Sequence, residues 1–122
     1  MDLAGFIEQF RNEKDLSFRG LEKRAGDLDH AYIWRLTKGD KAMPSQATVQ
    51  KLSTALELDE RKQQIFELLV QMPIEDSLYR LMLDRTDMPW EHFETVAKVS
   101  SRGTRRHTEE GWLQMIEIIK DL

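Results

Sequence analysis

Cysteine is absent from the 122 residues, which excludes disulfides and thiolate metal sites. Long apolar runs are missing too. No stretch approaches the ~18 apolar residues of a membrane-crossing helix, and the chain opens without the charged-then-apolar pattern of a secretory leader. The simplest expectation is a cytoplasmic protein with no membrane partner. The three histidines, His30, His92 and His107, are scattered without metal-ligand spacing. No glycine-rich phosphate loop occurs, and nothing in the residue order draws Ser, His and Asp together. The expectation is a protein that is not an enzyme and holds no metal or cofactor. Nor does any segment sustain the two-residue alternation of a half-buried strand, so no sheet is expected.

What the chain does have is helical periodicity. Its apolar fraction of 40% is enough for a core. Phe6, Ile7 and Phe10 share one helix face, and Lys14-Asp15 breaks that pattern. Ser17 sits as an N-cap ahead of Phe18 and Leu21, and Gly26 suits the residue just past a helix end. Asp29 can cap a helix carrying Ile33 and Leu36 that ends at Gly39. Ser45, after Met43-Pro44, can cap one carrying Val49, Leu52 and Leu56. Asp59 can cap a fifth bearing Ile65, Leu68 and Leu69, closed by Pro73. Three further amphipathic segments follow. They are marked by Leu78, Leu81 and Met82; by Trp90, Phe93, Val96 and Ala97 behind Pro89; and by Trp112, Leu113, Ile116 and Ile119 behind Thr108. The predicted fold is all-α, with five helices in residues 1–72 and about three in residues 73–122.

Charge is unevenly spread. The net charge is -4, but from Arg11 to Lys51 nine basic residues outnumber six acidic ones. That window is +3 and the remainder -7. A locally positive stretch in an acidic chain suits a confined phosphate-contacting face, or a mixed solvated surface.

The run from Leu16 to Ser45 carries the most specific pattern. Leu16, Ser17, Leu21, Ala25, Gly26, Ile33, Leu36, Gly39, Pro44 and Ser45 occur in an order that resembles the lambda repressor/Cro (Xre) family of helix-turn-helix proteins. The resemblance spans roughly residues 3–70. In such a unit two short helices cross at about 90–120°, one across the DNA backbone and the other in the major groove. Leu21, Ala25, Ile33 and Leu36 are the inward residues that fix this angle. Ala25 lets the helices approach, and Gly26 avoids a Cβ clash if its φ is positive. The spacing from Gly26 to Ile33 is one residue longer than the family's usual pattern, so the turn Asp27-Leu28-Asp29 is expected to be enlarged.

The resemblance implies a recognition helix over residues 29–38, with double-stranded DNA as the partner. Its outward side would contact bases through His30, Ala31, Trp34 and Arg35. Arg35 can bond guanine O6 and N7 together, worth about 1–3 kcal/mol of discrimination. Trp34 would press on a thymine methyl or sugar, or else pack against Lys38 and the fourth helix. Phosphate contacts would come from Ser17, the backbone N–H of Phe18, Arg19, Lys38, Lys41, Ser45 and Gln46. Tyr32 would either reach phosphate through its hydroxyl or pack on the helix before it.

The second half echoes the first at an offset of 72 residues: Leu16-Ser17-Phe18 aligns with Met88-Pro89-Trp90, Leu21 with Phe93, and Ala25 with Ala97. The echo lacks the length of a recognition helix between Ala97 and Thr108, so at most it is a degenerate repeat. Trp90, Phe93, Trp112, Leu113, Ile116 and Ile119 are candidate anchors for a homodimer or another protein, or else this half's own core. Arg102, Arg105 and Arg106 would either flank the DNA site or form a solvated loop. Two functions follow. The first is a homodimeric repressor reading a two-fold operator. The second is an antitoxin-type protein that neutralises a partner protein, with DNA binding reserved for autoregulation.

Overall fold

A computed structural model describes residues 1–39, 43–100 and 107–120. Among the described residues the regular elements are all α-helices, eight of them, with no strand. They are α1 (Leu3–Glu13), α2 (Phe18–Ala25), α3 (His30–Thr37), α4 (Gln46–Ala55), α5 (Glu60–Gln71), α6 (Asp76–Asp84), α7 (Trp90–Ser100) and α8 (Glu109–Lys120). The chain divides into two compact units, Met1–Pro73 and Ile74–Leu122. No helix among the described residues is long and apolar enough to cross a membrane.

The helices of the first unit start where side-chain oxygens take up orphan backbone donors. Ser17 Oγ accepts from the Gly20 N–H at 2.9 Å, and Asp29 Oδ1 from Ala31 at 3.0 Å. Ser45 Oγ accepts from Thr48 at 3.2 Å, and Asp59 Oδ1 from Lys62 at 2.9 Å. Each such cap contributes about 1 kcal/mol. Asp2 caps α1 in the same way, a cap not anticipated from the sequence. After α1 the chain reverses through Asp15, whose φ of 52° is left-handed, a conformation that aspartate tolerates better than most side chains.

In this unit α1 packs on α3 and α5, α2 on α3 and α4, and α4 on α5. Phe6 lies at its centre, its ring centroid 4.7 Å from that of Phe10 and 5.2 Å from that of Phe66. Around it Ile7, Leu21, Ile33, Leu52 and Ile65 are fully buried. Burying side chains of this size stabilises by about 1.5–3 kcal/mol each. Ile33 and Leu36 are the only buried residues of α3, so one stripe of that helix holds it to the unit.

The second unit packs α6, α7 and α8 against one another. Trp112 is its largest buried side chain, and the indole N–H donates to Ser77 Oγ at 2.8 Å. That hydroxyl in turn donates to the His107 carbonyl at 2.8 Å. The buried indole N–H is therefore satisfied, as burial requires. Of the two arrangements open for the six apolar candidates, the core of this unit takes three. Phe93, Trp112 and Ile116 are at most 1% exposed and form this unit's own core with Leu78, Met82 and Val96. Trp90, Leu113 and Ile119 are half-buried. Among the described residues of this unit the exposed large apolar side chains are Val99 and Ile118. The echo of the first half also ends early: α2 stops at Ala25, whereas α7 continues past Ala97 to Ser100. Arg102, Arg105 and Arg106 lie outside the described residues.

Candidate nucleic-acid interface

The joint between α2 and α3 is built from four consecutive residues, Gly26 to Asp29. Gly26 closes α2, its N–H donating to the Glu22 carbonyl at 3.0 Å. Its φ of 89° with ψ of -90° lies where residues bearing a Cβ are strained. Asp27 is held to α4 by Lys51 at 2.7 Å. That lysine's hydrogen bond holds the Asp27 carboxyl below its ordinary range. Leu28, in the middle of this turn, is buried. The turn thus carries one buried apolar side chain between exposed Asp27 and Asp29. Asp29 then caps α3.

A second tie crosses the joint. Glu22 on α2 accepts from both the backbone N–H of His30, at 3.0 Å, and its ring Nδ1, at 2.5 Å. Glu22 was not singled out in the sequence. It stands eight residues before His30 with a turn between them, so helical periodicity carries no sign of the pair. His30 is half-exposed. With Nδ1 committed to Glu22, Nε2 is the ring nitrogen left for an outside partner.

The rest of α3 follows from 100° per residue. Ile33 and Leu36 point inward, and Ala31, Trp34, Arg35 and Lys38 fall on the opposite side, all four exposed. Trp34 keeps 47% of its surface in solvent, with the Lys38 ammonium 5.5 Å from its ring centroid. The Lys38 approach is part of the packing expected for Trp34, and nearly half of the side chain stays accessible. Tyr32, on the flank of the helix, is half-buried.

The helix starts are also exposed. Ser17, Arg19, Ser45 and Gln46 are on the surface, although both serine hydroxyls are engaged as caps. Phe18 is half-buried, and the Arg11 guanidinium lies 4.2 Å above its ring. Arg11 is fixed by Glu8 at 2.6 Å and the Leu16 carbonyl at 2.7 Å. Phe18 is therefore part of a stack that rigidifies the start of α2, and only its backbone N–H remains in the role expected of it. Lys41 lies outside the described residues.

Pairing divides the described basic residues from Arg11 to Lys51 into two sets. Arg11, Lys14, Arg24 and Lys51 face Glu8, Glu57, Glu57 and Asp27 respectively. Among the described residues Arg19, Lys23, Arg35 and Lys38 have no acidic partner. Among the described residues of this window, the cations without an acidic partner thus lie on α2 and on the outer side of α3 with its C-cap. No protein-family model matches this chain, and no curated protein matches it.

Proposed function

We propose that Met1–Pro73 is a five-helix duplex-DNA-binding domain of the lambda repressor/Cro (Xre) type. On this reading the chain regulates transcription as a dimeric repressor, with α3 in the major groove. One observation carries it: α3 is held by a single buried stripe while Ala31, Trp34, Arg35 and Lys38 face solvent directly opposite. A helix held this way can insert into a groove without unfolding anything. An α-helix with its side chains is about 10–12 Å across, which fits a major groove about 12 Å wide. The joint supports the same reading, because Glu22, Leu28 and the Asp27–Lys51 pair brace α3 against α2 and α4. Pre-set geometry lowers the ordering cost of binding.

Arg35 and the Trp34 edge would read bases, with Arg19, Lys23 and Lys38 near phosphates. Two copies are expected on one site, since a single recognition helix touches few bases. The alternative of capturing and neutralising a partner protein draws on fewer side chains than expected, because Phe93, Trp112 and Ile116 are enclosed.

The test is selection of bound duplexes from a random pool by the purified full chain. The expected result is enrichment of two related half-sites, centred about 34–36 Å apart or a multiple of that. Binding that never exceeds the affinity for random duplex, even at low salt, would refute the proposal.

A further inference from the structure

We infer that the joint between α2 and α3 is a binding site for one divalent transition-metal ion of the zinc class, held by Glu22, Asp29 and His30. The inference stands on side-chain geometry and does not depend on the DNA-binding proposal. One ligand atom from each residue lies within 4.8 Å of the other two. His30 Nδ1 is 2.5 Å from Glu22 Oε2 and 3.4 Å from Asp29 Oδ1. Zinc bonds to imidazole nitrogen and carboxylate oxygen are about 2.0–2.2 Å, so neighbouring ligands of a tetrahedral site stand about 3.3 Å apart. The Asp29–His30 spacing already has that value. The Glu22–His30 spacing needs to widen by less than about 1 Å, as the ion takes the place of the proton they share.

The donor set selects the metal. One imidazole with two carboxylates suits zinc, cobalt or nickel, whereas magnesium and calcium prefer oxygen alone. The carboxylates are already oriented, Glu22 by the His30 N–H and Asp29 by the Ala31 N–H, and each keeps lone pairs for a metal. The three side chains are 37%, 67% and 40% exposed, so an ion has a path in from solvent. The N-terminus of α3 contributes about half a positive charge, which opposes a cation. Two carboxylates outweigh it. Because the ligands come from α2 on one side and the start of α3 on the other, the bound ion would pin the angle between the two helices.

The experiment is calorimetric titration of the full chain with zinc chloride and, separately, magnesium chloride. The expected result is one zinc ion per chain, with magnesium bound at least about tenfold more weakly. His30→Gln and Asp29→Asn should each weaken zinc binding at least about tenfold. Asparagine caps a helix as well as aspartate does, so Asp29→Asn separates ligation from folding, with circular dichroism as the check. His92→Gln should bind as the parent does. Absence of zinc binding, equal affinity for magnesium, or zinc binding that survives both Asp29→Asn and His30→Gln would overturn the assignment.

Discussion

Arg35 and Arg19 are both exposed arginines without an acidic partner among the described residues, yet they should fail differently when removed. Arg35 sits on the outer side of α3, where a guanidinium can meet a base edge, and Arg19 sits in the first turn of α2. Arg35→Ala should cost about 1–3 kcal/mol on a selected duplex and relax preference at one position. Arg19→Ala should weaken selected and random duplexes alike and lower the slope of log affinity against log salt by about 1. Fluorescence anisotropy with both duplexes at two salt concentrations checks this. Equal loss on both for Arg35→Ala would remove its base-reading role. The outward direction of Trp34 and Arg35 was legible in the sequence, because Ile33 and Leu36 set the helical phase. What was not legible was the commitment of His30 to Glu22, a contact made across a turn, where no period links the two positions.

At the scale of elements, the N-caps were the most legible feature. Ser17, Asp29, Ser45 and Asp59 each begin a helix as their position before an apolar stripe predicts. The burial of Leu28 was not legible, since a single apolar residue in a turn has no periodic signature. The long-range ion pairs could not be foreseen either. Lys14 reaches Glu57 at 2.6 Å and Lys51 reaches Asp27 at 2.7 Å, each joining elements far apart in the chain. The Lys14 ammonium, by its hydrogen bond and then its charge, lowers the Glu57 carboxyl below its usual range, as Lys51 lowers Asp27. A carboxyl lowered on folding stabilises the folded state above its unfolded pKa. That stabilisation is lost as pH falls through the folded value. The double variant Asp27→Asn/Glu57→Gln should therefore melt below the parent at pH 7, by a few degrees at most because both pairs are solvated. The gap should shrink as pH falls below the ordinary carboxyl range of about 3.9–4.3 and close only once the lowered carboxyls of the folded parent are protonated too. Melting curves across that range check the sign, and a gap that widens in acid would contradict it. Added salt should narrow the gap at pH 7.

For the whole molecule, what matters is that each unit has its own buried side chains. The break after Pro73 was legible from that proline and the restart of periodicity at Leu78, and Ile74 is the first buried residue beyond it. Which aromatic residues of the second unit turn inward was not legible, because Trp90, Phe93 and Trp112 all lie on amphipathic stripes and period alone does not distinguish a core from a partner surface. Trp112 allows the two-unit division to be tested. The second unit is shorter than the roughly 70 residues below which one core rarely supplies more than about 3–5 kcal/mol. Replacing a buried tryptophan by alanine costs about 3–5 kcal/mol, and Trp112→Ala also leaves Ser77 Oγ without its indole donor. The variant should therefore unfold α6–α8. Because Phe6, Ile33, Leu52 and Phe66 are buried within the first unit, α1–α5 should keep their hydrogen-exchange protection. A single α3 should still engage a half-site. If dimerisation runs through the second unit, the steep concentration dependence of binding to a two-half-site duplex should disappear while half-site affinity stays. Exchange measured helix by helix decides the first part: protection lost equally in α1–α5 would mean that the units fold as one. Titration of single- and double-half-site duplexes decides the second: cooperativity that survives unfolding of α6–α8 would move the dimer contact to the first unit.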